Sequence, residues 1–234
     1  MILNKNAILY LILSTITFFL TIMIIFFSET STNFPFIDRI ILGLVFILSC
    51  ILGVSFAIYP GWLSRLFKIN RNKYPKSIKS MRNKKKYRGH HPDCDKFRDH
   101  VVEINEKDYC SGCLGLTIGL MIAIILMIVY LLSNPIISYR IYLLMVFFGI
   151  IIIMINFFEI LFKKRKKIVH LILNILLIVS FFLITISIFE ITGKLTFGFI
   201  TIIFSFLWID TRAQLSFLKH RIICLECKHE CKMY

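Results

Sequence analysis

Residues 110–132 read CSGCLGLTIGLMIAIILMIVYLL. No charged side chain occurs from Tyr109 to Tyr139. A helix that crosses the hydrocarbon of a bilayer needs about 20 apolar residues, and this run supplies them. It is continuous rather than alternating, so it does not read as a barrel strand. A helix is the open-ended element that satisfies its own backbone in lipid. Two cysteines stand at the head of the run, so the reading of fold and of chemistry begins at the same place.

Working outward, the apolar segments are roughly 7–27, 37–59, 114–132, 141–162, 168–189 and 195–217. The composition agrees. The 234 residues are 58% hydrophobic and 18% charged, with 23 Phe, and the mean hydropathy is +0.80. A soluble domain carries about 25% charged residues. This much apolar surface cannot be hidden in one water-soluble core, and the same numbers exclude intrinsic disorder. The first segment reads as a retained span. Its apolar run exceeds that of a signal peptide, and no small-x-small cleavage site precedes Pro35. The expected fold is all-α: a polytopic membrane helical bundle with six transmembrane helices and a small cytoplasmic Cys/His metal-binding module. The expected organisation is two spans in 1–59, a basic loop and Cys/His hairpin in 60–113, four spans in 114–217, and a Cys-rich tail in 218–234.

Orientation follows from Lys and Arg in the loops. With both termini in the cytoplasm, segments 1–6, 60–113, 163–167 and 218–234 carry 24 Lys and Arg. The opposite side carries three, Arg39, Arg140 and Lys194, and Arg212 lies within the last span. The expected location is therefore the cell membrane, with N- and C-termini inside. The net charge of +15 is concentrated accordingly: residues 60–88 hold eleven Lys/Arg and no acid. Trp62, Leu63, Leu66, Phe67 and Ile69 mark an amphipathic helix in the membrane interface. The basic stretch from Arg71 to Arg88 reads as a surface for anionic lipid headgroups. Nucleic acid is a poor partner for it, because only Tyr74 and Tyr87 are available to stack.

Cytoplasmic thiols are kept reduced, so the cysteine pattern reads as metal binding before it reads as disulfides. The first cluster is His91-x2-Cys94-x15-Cys110-x2-Cys113, the two-pair spacing of a zinc site with His in the first position. His90 or His100 can stand in for His91. Between the pairs, Val101–Ile104, a polar turn and Tyr109 predict a small hairpin. It has too few apolar residues to hold itself together, and a metal is the economical staple. Ser111-Gly112 and Gly115 read as residues that permit a tight turn around the ion. The second cluster is Cys224, Cys227 and Cys231, with His229, His220 or a residue of the first cluster as the fourth ligand. The pairs Cys110/Cys113 and Cys224/Cys227 can also combine into one four-cysteine site. Zinc is favoured over an iron–sulfur cluster because His is mixed with Cys. Cys50, alone within a span, reads as a small packing residue.

A polar layer is expected near the inner ends of the last three spans: Asn156 and Glu159, His170 and Asn174, then Asp210, Arg212 and Gln214. Ionisable groups at that depth are costly unless paired. Glu159 and His170, on either side of the Lys163–Lys167 turn, are a natural pair. The outer halves of the spans read as almost free of charge.

The segment Cys110-Ser-Gly-Cys113-Leu-Gly115-Leu-Thr-Ile-Gly119 resembles an uncharacterised family of prokaryotic multi-pass membrane proteins. That family carries a Cys-x-x-Cys-x-Gly motif, typically Cys-Ala-Arg-Cys-Thr-Gly, at the entrance of a transmembrane helix, with Cys and His a short way upstream. The matching residues here are His90, His91, Cys94, Cys110, Cys113, Gly115 and Gly119, over about thirty residues. Gly112 stands where the family usually has Arg, and the tail cluster lies outside the pattern. The resemblance implies the architecture and no activity.

Three functions follow as expectations. The first is a non-enzymatic membrane protein whose cytoplasmic face is organised by structural zinc and meets a cytoplasmic protein partner. The second is a membrane thiol–disulfide oxidoreductase using Cys110/Cys113. The third, a small-solute transporter, ranks last, since no internal repeat and no Gly/Pro-broken pair of helices is visible. The common hydrolase and nucleotide-binding signatures do not occur.

Overall fold

The computed structural model describes residues 5–27, 36–58, 100–105, 107–133, 137–161 and 166–225. Their order is α1 (Lys5–Phe27), α2 (Phe36–Ile58), β1 (Val101–Ile104), β2 (Lys107–Cys110), α3 (Ser111–Ser133), α4 (Tyr139–Leu161), α5 (Lys167–Thr192) and α6 (Leu195–Leu225). Six of these are helices long and apolar enough to cross a membrane. By length and composition the chain is a multi-pass helical membrane protein, with one small hairpin among the described residues.

Helix α5 is the centre of the bundle. It packs against α3, α4 and α6 and also touches α1, while α2 lies against α3 and α1 against α6. Its second half is buried almost without interruption from Leu177 to Thr192. On the outer helices the exposed positions are large and apolar, among them Phe19, Leu44, Ile125, Phe147 and Ile203. Such faces are at home in lipid, where burying Leu against Leu yields no hydrophobic gain. Association of these helices must come from close packing and polar contacts, and both are present.

The close packing is clearest where α3 meets α5. Ser111, Gly115, Gly119 and Ala123 recur every four residues on one face of α3 and are all buried. A Cβ on Gly115 would lie 2.5 Å from the backbone oxygen of Leu171 and 2.8 Å from Asn174 Cβ. A Cβ on Gly119 would lie 3.0 Å from Ile175 Cα. Small residues at this spacing let two backbones approach until side-chain volume would hold them apart. The sequence reading made Gly115 a turn residue. It is instead a helical residue in the second turn of α3, and what it supplies is missing volume rather than conformational freedom. That freedom is used at Gly193, where φ is 62° and the backbone N–H closes α5 by donating to Phe189 O at 2.8 Å. There glycine is the residue that accepts a left-handed end without a Cβ clash.

Polar contacts attach the first helix. Ser14 and Thr211 share a hydroxyl–hydroxyl bond at 2.6 Å, and Trp208 Nε1 donates to Thr17 Oγ1 at 3.0 Å. The Trp208 ring, 2% exposed, stacks on Phe181 with centroids 5.9 Å apart. A tryptophan on α6 thus joins α1 to α5.

The hairpin has the expected form. β1 and β2 pair antiparallel with Val101 opposite Cys110 and Ile104 opposite Lys107. Asn105 makes the turn at φ 49°, a conformation Asn tolerates better than most residues.

Candidate functional site

The strand β2 ends at Cys110 and α3 begins at Ser111, so the Cys-x-x-Cys motif straddles the junction. Cys110 is the last residue of a strand and Cys113 lies in the first helical turn. This brings the two sulfurs together within hydrogen-bonding reach. Both are thiols, and neither is joined in a disulfide. Cys110 is 1% exposed, whereas Cys113 is half-buried. The Ser111 hydroxyl donates to the His100 backbone oxygen at 3.0 Å, which ties the start of β1 to the start of α3.

Beneath this junction lies the buried polar layer. His170, on the first turn of α5, presents its ring toward Gly112: a Cβ there would sit 3.1 Å from His170 Nε2 and 3.8 Å from Cys110 Sγ. The ring's other nitrogen, Nδ1, meets Glu159 of α4 at 3.0 Å and 3.2 Å to the two carboxylate oxygens. Arg212 of α6 approaches the second oxygen at 3.6 Å and donates through Nη1 to Asn174 Oδ1 at 2.5 Å. The Asn174 amide donates back to the His170 backbone oxygen at 2.5 Å. The His100 ring stands edge-on to His170, with centroids 6.1 Å apart. All of these side chains are at most 9% exposed. A lone ionised carboxylate would be costly at this depth, and the arginine and imidazole around Glu159 remove that cost. Of the seven residues expected in that layer, Glu159, His170, Asn174 and Arg212 form one connected network over α4, α5 and α6, whereas the Asn156 amide donates within its own helix to Ile152 O at 3.2 Å.

Of the residues expected to bind metal, Cys110 and Cys113 come together. His91, Cys94, Cys227, His229 and Cys231 lie outside the described residues, as does His90, and the Cys224 side chain does too. Among the described residues no three His, Cys, Asp or Glu groups are placed to hold an ion by themselves. Zinc therefore remains an inference from ligand type and spacing.

A second polar centre occupies the opposite end of the bundle. Arg39 of α2 donates to Glu190 of α5 at 2.9 Å. The Tyr130 hydroxyl of α3 donates to the same carboxylate oxygen, and the Arg39 guanidinium lies 5.2 Å from the centre of the Tyr130 ring. Arg39 is 7% and Glu190 8% exposed. The sequence reading counted Arg39 with the outer side and ended the fifth span at 189, one residue before Glu190. They are missed because α5 runs to Thr192, three residues beyond the expected end, so Glu190 falls within the helix. Acid and base at 39 and 190 at the same end of two spans is the signal that marks them.

Comparison of the chain with protein-family models, with curated proteins and with solved structures gave no match.

Proposed function

We propose that this chain is a non-enzymatic membrane protein whose Cys/His module binds a structural zinc ion at the cytoplasmic face, where it forms a surface for a protein partner. The observation that carries the reading is the strand–helix junction, which gathers two thiols at the mouth of a span beside two buried imidazoles. Thiolate and imidazole are the ligands zinc prefers, and four of them leave no open position for chemistry. His91 and Cys94 supply the rest of the shell by their spacing. Cys224, Cys227, Cys231 and His229 form a second cluster on the same side. The asymmetry of Lys and Arg puts that side in the cytoplasm and makes anionic headgroups the neighbours of residues 60–88. The resemblance of the Cys-x-x-Cys-x-Gly segment to a prokaryotic multi-pass family is in keeping with this architecture.

The test is elemental analysis of detergent-purified protein. Near-stoichiometric zinc is expected in the wild type, with loss of zinc and of folded protein in Cys110→Ser and Cys113→Ser. Protein free of zinc and iron overturns the reading. The contact between the two thiols also favours a second reading, thiol–disulfide exchange at Cys110/Cys113. Such chemistry needs an accessible thiolate, and the 1% exposure of Cys110 argues for the metal. Rapid alkylation and reversible oxidation of both thiols in native protein would reverse that order.

A further inference from the structure

Two buried acids stand at the two ends of one helix contact. Glu159 of α4 meets the first turn of α5, and Glu190 lies in the last turn of α5. From His170 to Glu190 that helix rises about 30 Å, the thickness of the hydrocarbon core of a bilayer. Each acid is held by an arginine from another helix, Arg212 for Glu159 and Arg39 for Glu190. We propose that the seam between α4 and α5 carries protons from one of these acids to the other, across the membrane, by way of Tyr142, Ser187, Ser180 and Asn156. This goes beyond the zinc reading and does not rest on it.

The register of the two helices carries the argument. The contact of His170 with Glu159 fixes it at one end. Midway, a Cβ on Gly149 would lie 2.7 Å from Ile184 Cγ1 and 3.2 Å from the Ser180 backbone oxygen. The helices run antiparallel, so a step forward on α4 is a step back on α5. Tyr142, Gly149 and Asn156 recur every seven residues along one face of α4, and Ser180 and Ser187 do the same on α5. Tyr142 therefore stands level with Ser187, Gly149 with Ser180, and Asn156 with Asn174, one turn from Glu159. Polar side chains thus recur along a contact otherwise filled by Val146, Ile153, Leu177 and Ile184.

Three of these side chains have hydrogen-bonding capacity that the protein does not use. Among the described residues, the Tyr142 hydroxyl, the Ser187 hydroxyl and Asn156 Oδ1 are buried with no partner. Tyr142 is 4% exposed and the other two residues 0%. An unpartnered polar atom is costly in hydrocarbon, and an apolar residue at each place would avoid that cost. Water relieves it where polar groups converge. The Tyr142 hydroxyl lies within electrostatic range of both Glu190 and Arg39. Glu190 is faced by Arg39, Tyr130 and Tyr142, and Glu159 by His170 and Arg212. A hydroxyl passes a proton by giving its own to one neighbour as it accepts another, while Asn156 Oδ1 orders the water next to Glu159. One proton enters at one acid and one leaves at the other, and no charge is stored between them. Levels seven residues apart are separated by about 10 Å, a gap that about three waters in file bridge at ordinary hydrogen-bond lengths. The seam is narrowest at Gly149, and opening there admits the file. Buried acids with polar neighbours are the usual material of proton relays. The sparse charge of the outer halves spoke against a through path, and Arg39 and Glu190 supply the missing end.

The test is proton flux into lipid vesicles holding the full-length protein, with potassium inside, valinomycin to set a diffusion potential and a pH dye in the lumen. The wild type is expected to acidify the lumen faster than protein-free vesicles do. Glu190→Gln and Glu159→Gln are expected to lose that flux. Because each of these also unpairs an arginine, Tyr142→Phe and Ser187→Ala carry the decisive comparison. Each removes only a hydroxyl without a partner, so a structural role predicts unchanged flux. The proton route predicts slower flux at an unchanged unfolding midpoint. Wild-type flux equal to that of protein-free vesicles overturns the proposal. Flux that survives Glu190→Gln does the same, and so does flux unchanged in both hydroxyl variants, since protons would then bypass the seam.

Discussion

At the scale of single residues, volume matters more than chemistry over much of the bundle. Gly115 and Gly119 are conspicuous in the sequence, and their place beside two cysteines invites a role in the turn. The reason they are glycine is the backbone of α5, a span more than fifty residues away that no local reading reaches. Gly115→Ala is therefore expected to destabilise by about 1–3 kcal/mol, the usual cost of overpacking. The Leu171 carbonyl is backbone and cannot rotate aside. Thermal unfolding in detergent followed by circular dichroism checks this, and an unchanged midpoint would show that the helices yield freely. Cys50 illustrates what sequence does settle. It was read as a packing residue, and it is 4% exposed among the side chains of the core.

At the scale of elements, the spans were legible because hydropathy integrates over some twenty residues and needs no partner. Six segments were expected, and among the described residues six helices are long and apolar enough to cross a membrane. Their ends were less legible, and the error had consequences. Ending the fifth span at 189 left Glu190 in a loop, and the ion pair across α2, α3 and α5 went unseen. Pairing is a property of two helices, and hydropathy scores one. This pair is expected to be structurally costly to break. Arg39→Ala or Glu190→Ala leaves a buried charge without its counter-ion, at a cost of about 3–5 kcal/mol each. Replacing both with apolar residues of similar size should cost much less than the two together. Equal additivity in unfolding measurements on the double variant would show that the two groups do not depend on each other. The contacts between α1 and α6 are weaker. Thr17→Ala removes the nearer acceptor of Trp208 Nε1, leaves the Ser14 backbone oxygen at 3.4 Å, and is expected to cost about 0.6 kcal/mol, the average for polar contacts between membrane helices. A loss of several kcal/mol in the same assay would mean that α1 is held by that bond rather than by its length of apolar contact.

At the scale of the molecule, the two polar centres lie at opposite ends of a lipid-facing bundle, and they differ in kind. One is an ion pair closed by a tyrosine. The other is a network whose last member, His170, turns Nε2 toward Gly112, beside the Cys110 thiol. Half of that second centre was legible. The Cys-x-x-Cys spacing and the hairpin were read from neighbouring residues, and Glu159 and His170 were paired across a short turn. What joins the two halves is the packing of α3 on α5, which spacing along the chain does not encode. Sidedness is a claim at this scale as well. With the Lys and Arg asymmetry as the guide, an epitope fused after Tyr234 is expected to be hidden from antibody in intact cells and revealed on permeabilisation. Recognition without permeabilisation would invert the bundle and put the thiols in an oxidising compartment.

X-ray absorption at the zinc edge of the purified protein addresses the convergence of sulfur and imidazole on one ion most directly. The account predicts a four-coordinate shell that mixes sulfur at about 2.3 Å with nitrogen at about 2.0–2.1 Å. A shell of oxygen and nitrogen alone, or protein with no zinc edge at all, would contradict it.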